Sequence, residues 1–540
     1  MWAQGGSIAD RELQRQQDIE RQRRQEMEDQ APDIHFQTGA APEEALVYPS
    51  NEAPCLVINE IVLEGKDAAK FQWALKAAQS GLGRCLGSQG LNIMMSRVQN
   101  AIVEKGYVTT RIVAAPQDLN TGRLILTVIP GRVSGVKLSG ESGRHIILAT
   151  TMPASKGDLL NIRDVEQGLE NLKRIPGAEA DIQLVPGDEE GESFLMVTWH
   201  QARPIRLTAS IDDSGSKYTG RYQSSLTFSV DNPLGFSDMF YASISRDLGQ
   251  SRPYGTHGHG FHYSIPVGYW QFSVNSNYYY YHQVVAGLWV DYEYSGKSRN
   301  TNMTASRVVH RGAKSKTSLS FGGFVNESRN YIDETEIEIQ RRRMAGWEAG
   351  LDHRHYLGAL TLDAGLKYHR GTGAFDARKA PEEYVDEGTS RPEILNLDLR
   401  FQYPFQIGEQ NFFYTGSWCQ QWAFKKLVSR DRISIGGRYS VRGYDGEMTL
   451  SADNGFVFRN ELAWMLGQSG QQLYTGLDFG RVWGPDDKYL LGQSLSGAAI
   501  GLRGYFKGFS YDVFAAAPLN RPKGYPGDDL VTGFSLTYQF

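Results

Sequence analysis

Up to about residue 203 apolar positions recur at helical and strand spacings in turn; from about Pro204 onward only a period of two remains. In LNLDLRFQY, Leu395, Leu397, Leu399, Phe401 and Tyr403 share one face and Asn396, Asp398, Arg400 and Gln402 the other. LTLDAGLKY sets Leu360, Leu362, Ala364, Leu366 and Tyr368 against Thr361, Asp363, Gly365 and Lys367. YQSSLTFSV sets Tyr222, Leu226, Phe228 and Val230 against Gln223, Ser225, Thr227 and Ser229. The chain closes on FSLTYQF, with Phe534, Leu536, Tyr538 and Phe540 on one face. A side chain that alternates faces at every step is the mark of a strand, so the C-terminal part is predicted to be all-β.

The N-terminal part has a different grammar. Ser7–Asp29 is almost wholly charged or amide, free of Gly and Pro, and predicts a helix that is polar all round. Such a helix is either solvated or lies in a wet cavity; at 1.5 Å per residue it would be roughly 34 Å long. The Pro- and Ala-containing stretch that follows reads as a linker. Two units of the order β-α-α-β-β come next. The first runs CLVINEIVLEG, AAKFQWALKAAQSGLG, LNIMMSRVQNAIVEKGY and a strand pair turning near Asn120-Thr121-Gly122. The second runs RVSGVKLSG, HIILATTMP, IRDVEQGLENLKRIPG and ADIQLVPGDEEGESFLMVTWHQ.

Composition narrows the function. The 540-residue chain has a formal net charge of −5, with a pI near 6.2, and so lacks the basic footprint of a nucleic-acid binder. Its mean hydropathy of −0.43 looks soluble, and no stretch approaches 18 apolar residues, which excludes a transmembrane helix. Alternation hides a membrane barrel from such averages, because only every second residue meets lipid. The polar face carries Asp363, Lys367, Asp398 and Arg400, suited to a wide wet lumen, and Tyr278 to Tyr281, Trp418 and Trp422 are expected in interfacial girdles. About 335 residues at roughly 21 per strand and loop give about 16 strands. The start, MWAQGGSIADREL, has no secretory leader pattern, which leaves a cytosolic protein or a chain already processed.

Two motifs carry the strongest signal: VRGYDG at Val441 to Gly446 and GLDFG at Gly476 to Gly480. With the tandem β-α-α-β-β units, the polar helix and the barrel pattern, the chain resembles TpsB outer-membrane transporters of two-partner secretion. This is the haemolysin-activator and CdiB-like branch of the Omp85 superfamily, whose β-α-α-β-β units are POTRA domains. The resemblance implies a fold of about 16 antiparallel strands preceded by two α+β POTRA domains and an N-terminal α-helix. It divides the chain into 1–30 (pore-plug helix), 31–53 (periplasmic linker), 54–132 and 133–203 (POTRA 1 and 2) and 204–540 (barrel). The sixth extracellular loop, about 434–456, would fold inward. Leu13, Ile19 and Arg23 mark the plug helix. TGFSLTY, before the terminal Phe540, fits the pattern by which barrel-assembly machinery recognises its clients.

By the same resemblance Arg442, in the run Val441, Arg442, Gly443 and Tyr444, pairs with Asp478 on the wall, with Gly480 beside it. A guanidinium matches a carboxylate in a two-pronged geometry, so such a pair is both strong and oriented. Either motif alone would be weak: Arg442 would read as a solvated loop arginine and Asp478 as a lumen-facing acid. Cys55 and Cys85 bracket the first strand and helix of POTRA 1; in an oxidising periplasm they form a disulfide, or else stay as two buried thiols. Cys419 reads as an unpaired barrel residue.

Enzyme signatures fail. GQSLSG, Gly492 to Gly497, has a serine where a nucleophile elbow needs its last glycine. No Walker A sequence is present, GHGFHY lacks the third glycine of a dinucleotide fingerprint, and no cofactor is called for. His257, His259 and His262 lie in a Gly-rich segment without an acidic or Cys partner, a poor metal set. The expected function is secretion of a large partner exoprotein from periplasm to cell surface without nucleotide hydrolysis. POTRA edges would catch unfolded cargo by β-augmentation, and the helix would plug the resting pore. The partners implied are the exoprotein (a contact-dependent-inhibition toxin is favoured), outer-membrane lipid and the barrel-assembly machinery, with the transporter a monomer and no nucleic acid bound. The rival is an Omp85-type insertase, which usually has more POTRA domains and no such helix.

Overall fold

The computed structural model describes residues 9–16, 19–20, 33–36, 46–143, 145–249 and 254–540. From Ile205 onward the chain forms a closed antiparallel barrel of sixteen strands, with the two-residue piece Thr335–Glu336 as an extra rung. The first strand, Ile205–Asp212, closes the barrel against the last, Val531–Gln539, in the register Asp212↔Ser535 to Thr208↔Gln539. Closure leaves no free edge, which is what lets a sheet sit in hydrocarbon.

Directly opposed residues share a face, so the register tests the alternation. Leu366, Leu397 and Gln420 fall in one cross-barrel row, and Asp363 lies opposite Arg400. On the lumen side Arg354 Nε donates to Asp363 Oδ1 at 2.5 Å. The wall is uneven in height. Trp270–Val285, Tyr292–Arg311, Ser315–Ile332 and Arg342–Leu357 are long, whereas the closing strands are short.

Strand alternation corrects one expectation. Tyr278 to Tyr281 do not form one girdle: Tyr279 and Tyr281 are buried in the lumen, and only Tyr278 and Tyr280 face outward. The three histidines are split the same way. His257 and His259 lie on the outer face against Tyr280 and Tyr278, while His262 stacks on Tyr241 on the other. Among the described residues no cluster of metal-binding side chains occurs.

Before the barrel stand two small α+β units. In the first, Glu60–Glu64 pairs parallel with Arg123–Ile129, which pairs antiparallel with Arg111–Val113. Phe71, Met94, Val98 and Ile102 from its helices pack beneath this sheet with Leu124 and Leu126. Cys55 and Cys85 are joined, with Cα atoms 5.2 Å apart. In the second, Arg132–Leu138 and Ala178–Pro186 flank Glu192–Gln201. The helix Ile162–Lys173 packs Val165, Leu169 and Leu172 against Trp199 and Leu195 of that sheet. Arg132, at the junction of the two units, pairs with Asp67 of the first.

The loop between Gln410–Ala423 and Asn454–Met465 turns inward and spans 424–453. It starts earlier than expected, and Asn454, Gly455 and Phe456 already belong to the next strand. The reason is a hairpin of its own, Ile433–Ile435 with Leu450–Ala452. Ile435, Val441, Tyr444 and Leu450 then form a small apolar core with Val457, Val482, Leu495 and Tyr525 inside the barrel.

Candidate functional site

Arg442 lies at the tip of the inward loop and is 4% exposed; Asp478, on the strand Gln471–Trp483, is 3% exposed. Arg442 Nε donates to Asp478 Oδ2 at 2.7 Å and Nη2 to Oδ1 at 2.8 Å. The Arg442 backbone N–H also donates to Asp478 Oδ2, at 3.0 Å. Arg442 Nη1 donates to Glu461 Oε2 at 2.9 Å, and Arg503 Nη1 lies 2.7 Å from the other oxygen of Glu461. Two carboxylates and two guanidinia thus form one network across neighbouring strands, buried at Arg442 and Asp478 and partly exposed at Arg503. Such a network is rigid because each charge needs its partner in a low-dielectric site.

The wall beneath the loop is floored with glycine. Gly476, Asp478 and Gly480 alternate onto the lumen face, and Gly497 lies directly opposite Asp478 on the next strand. A Cβ on Gly476 would stand 2.1 Å from Arg442 Nη2, one on Gly480 2.9 Å from Val441 Cγ2, and one on Gly497 1.7 Å from the Arg442 carbonyl oxygen. Only hydrogen at these positions lets the loop lie flush on the wall. Gly443 takes φ +102°, in the left-handed region, and a Cβ there would stand 2.5 Å from the Ala517 carbonyl oxygen. Tyr444 then donates to the Asn520 carbonyl at 2.7 Å.

The outer side of the loop receives the helix. Residues 9–16 and 19–20 are helical, within the predicted span; Arg23 lies outside the described residues. Arg11 Nη1 donates to the Glu447 carbonyl at 2.8 Å and Arg15 Nη2 to the Gly446 carbonyl at 3.0 Å. Gln14 Nε2 reaches the Ser429 carbonyl at 3.0 Å. On the opposite flank Glu12, 4% exposed, accepts from Thr219 Oγ1 at 3.1 Å and Tyr279 OH at 3.2 Å. Ala9 packs on Tyr279, Tyr281 and Tyr294. The helix therefore lies in the lumen, held chiefly by polar contacts, between the wall and the loop that Arg442 anchors. Leu13 is buried and Ile19 half-buried.

A second polar network closes the periplasmic rim. Arg311 ends a long strand whose register shifts between Val308 and His310. This bulge puts Arg311 on the inner side, where it bonds Glu166 Oε2 at 3.0 Å, Gln167 Oε1 at 2.9 Å and Glu170 at 2.9 Å, all on the helix Ile162–Lys173. It also bonds the Ile34 carbonyl. The linker segment 33–36 is pinned here too: Phe36 N–H donates to Glu166 Oε1 at 2.6 Å and Asp33 Oδ2 lies 3.1 Å from Arg354 Nη1. Burial raises the pKa of Glu170, but Arg311 and Lys316 more than reverse this and hold it below the ordinary 4.5.

A closed sixteen-strand barrel, two α+β units at its rim and an arginine-anchored inward loop are now in place. The profile of the haemolysin secretion/activation proteins ShlB/FhaC/HecB matches residues 191–504. The chain belongs to this family. The profile of ShlB-type POTRA domains matches residues 56–131, and a general POTRA profile 132–186. The outer membrane transporter CdiB-2 of Burkholderia pseudomallei is 34% identical, over 95% of this chain and 90% of its own length. Among solved structures, CdiB from Acinetobacter baumannii superposes with a TM-score of 0.86 at 31% identity, covering 98% of both chains. CdiB from Escherichia coli superposes at 0.88 with 26% identity over both full lengths. This ShlB-type protein is thus an outer-membrane transporter, its POTRA domains on the periplasmic side.

The structure brings together Val441, Arg442, Gly443, Tyr444, Asp478 and Gly480, and separately Cys55 and Cys85. Sequence reasoning missed Glu461, Gly497, Arg311, Glu166 and the helix partners Glu12 and Glu447. Gly497 stood inside the rejected GQSLSG run. The bulge that aims Arg311 inward leaves no trace in the alternation.

Proposed function

We propose that this ShlB-type transporter secretes an unfolded partner exoprotein through its barrel, with the N-terminal helix as a removable plug. The observation that carries the reading is the way the helix is held. Arg11, Glu12, Gln14 and Arg15 bind loop and wall by hydrogen bonds, and bonds of this kind can be exchanged for water when the helix leaves. An apolar helix would lose burial on leaving; this one loses little.

The POTRA domains supply the cargo site. In POTRA 2 the strand Ala178–Pro186 pairs on one side only, with Glu192–Gln201, among the described residues. It exposes Leu184 and Val185. An unpaired edge takes an extended polypeptide through backbone bonds without demanding one sequence. The working division is a plug in 1–30, a linker in 31–53, POTRA domains in 54–132 and 133–203, and a monomeric barrel assembled by the barrel-assembly machinery. Conduction then uses no nucleotide and no catalytic centre. The favoured cargo is a contact-dependent-inhibition toxin. CdiB-2 matches at 34% identity over 95% of the chain, against 24% over 88% for the haemolysin transporter HpmB of Proteus mirabilis.

The test is co-expression with a candidate partner exoprotein, a contact-dependent-inhibition toxin, in a host lacking such a transporter. Surface exposure of the exoprotein only when the chain is present supports the reading. Equal exposure without the chain overturns it.

A further inference from the structure

The outward face of the tall wall carries a band of positive charge. Across consecutive strands the register sets Arg246 opposite His257, His257 opposite Tyr280, Tyr280 opposite Lys297 and Lys297 opposite Arg329. The next row towards the periplasm runs Ile244, His259, Tyr278, Arg299, Glu327 and Arg343. Tyr279 and Tyr281 point at the lumen helix, so both rows lie outside. Arg246, Arg299, Arg329, His257 and His259 are exposed. Arg343 pairs with Glu327. Among the described residues no ion pair within 4 Å occupies Arg246, Lys297, Arg299 or Arg329; Glu336 acts on Arg329 and Lys297 only at longer range, and the Lys297 ammonium sits 4.8 Å from the Tyr331 ring centre.

Height decides what such a band faces. Below Arg299 the outward positions of its strand are Thr301, Met303 and Ala305, then Arg307 near the periplasmic rim. On the neighbouring strand Val325, Gly323, Phe321 and Leu319 fill that interval. At roughly 3.3 Å per residue and a tilt of roughly 40°, Lys297 to Arg307 rises about 25 Å, the height of the apolar band of such barrels. The cationic rows therefore lie at the extracellular edge of the hydrocarbon, in the headgroup layer of the outer leaflet. At about 4.8 Å per strand, the row from Arg246 to Arg329 is roughly 19 Å wide. That exceeds one phosphodiester and suits a headgroup bearing several phosphates on sugars.

We propose that this band binds the phosphorylated sugar headgroup of an outer-leaflet glycolipid. Arg246, Lys297, Arg299 and Arg329 take the phosphates, and Tyr278 and Tyr280 pack on the sugar rings. The same strands carry Tyr279, Tyr281 and Tyr294 against the helix on their inner faces, so a bound headgroup stiffens the wall on which the plug rests. The site is independent of which cargo the barrel conducts.

The test purifies the full chain from outer membranes and measures retained glycolipid by native mass spectrometry. Changing Arg246, Lys297, Arg299 and Arg329 together to Gln is expected to lower retention about tenfold or more. Arg481→Gln, an outward arginine on the opposite wall, is expected to leave it unchanged. Unfolded-versus-folded gel migration checks that each barrel closes. If the fourfold variant does not close, Lys297→Gln and Arg329→Gln alone should each weaken retention about fivefold. Unchanged retention in the closed variants, an equal loss in Arg481→Gln, or displacement of the glycolipid by an equal amount of phosphatidylglycerol overturns the proposal.

Discussion

Arg442 and Asp478 are joined by two parallel hydrogen bonds, Nε to Oδ2 at 2.7 Å and Nη2 to Oδ1 at 2.8 Å, from a loop tip to the barrel wall. The loop in turn supports the helix through the Gly446 and Glu447 carbonyls. One buried ion pair thus sets the position of both elements that fill the pore. Arg442→Ala should cost the loop about 3–5 kcal/mol of anchoring, because it leaves the buried Asp478 carboxylate with only Arg459, 3.9 Å away, and no hydrogen-bonding fork. Arg442→Lys should rescue little of it, since an ammonium lacks the planar fork. Hydrogen exchange over residues 424–453 measures the release, and secretion should fall while the barrel still closes.

The glycine floor makes a separate prediction. Gly497→Ala would drive a Cβ to 1.7 Å from the backbone oxygen of Arg442, whereas the nearest atoms to Gly480→Ala are side-chain carbons, at 2.9 Å from Val441 and 3.0 Å from Ile435. Overpacking of the second kind costs about 1–3 kcal/mol and relaxes by side-chain shifts. Gly497→Ala should displace the loop tip itself. Protease sensitivity of the loop should rise markedly for Gly497→Ala and only slightly for Gly480→Ala.

The periplasmic joint is acid-sensitive through Glu170. Its folded pKa is below the ordinary 4.5, because Arg311 and Lys316 outweigh the cost of burial. A depressed carboxylate pKa stabilises the joint above the unfolded value, and that stabilisation disappears as pH falls through the folded value. The protection factors of the helix Ile162–Lys173, with exchange taken relative to the intrinsic rate at each pH, should therefore be high at pH 7 and fall below about pH 4. Glu170→Gln should raise exchange at pH 7 and remove much of the pH step.

POTRA 1 should lose stability without its disulfide. Cys55 and Cys85 are 30 positions apart, and releasing a loop of that length costs about 3–4 kcal/mol in the chain-entropy account. Thermal unfolding followed in Cys55→Ser/Cys85→Ser should show POTRA 1 melting earlier and the barrel unchanged.

The barrel was legible because a period of two runs through strands such as Leu395 to Tyr403. The Arg442–Asp478 pair was legible only through two motifs far apart in sequence; neither residue announces its partner. The face of a given tyrosine in Tyr278 to Tyr281 was not, since a run of one residue type has no phase until a neighbour fixes it. The polar surface of Ile162–Lys173 carries no sign in sequence of what buries it, which is Arg311 across the domain joint. Contacts set by a bulge or by docking of separate domains depend on three-dimensional placement that a single strand's pattern does not carry.

Planar-bilayer conductance tests the central claim most directly: the helix, seated on the Arg442-anchored loop, closes the pore. The intact chain and one lacking residues 1–30 would be compared at equal protein. The shortened chain should show larger and longer-lived open steps, since removing Arg11, Glu12 and Arg15 empties the lumen between loop and wall. Conductance no larger than that of the intact chain would contradict the account.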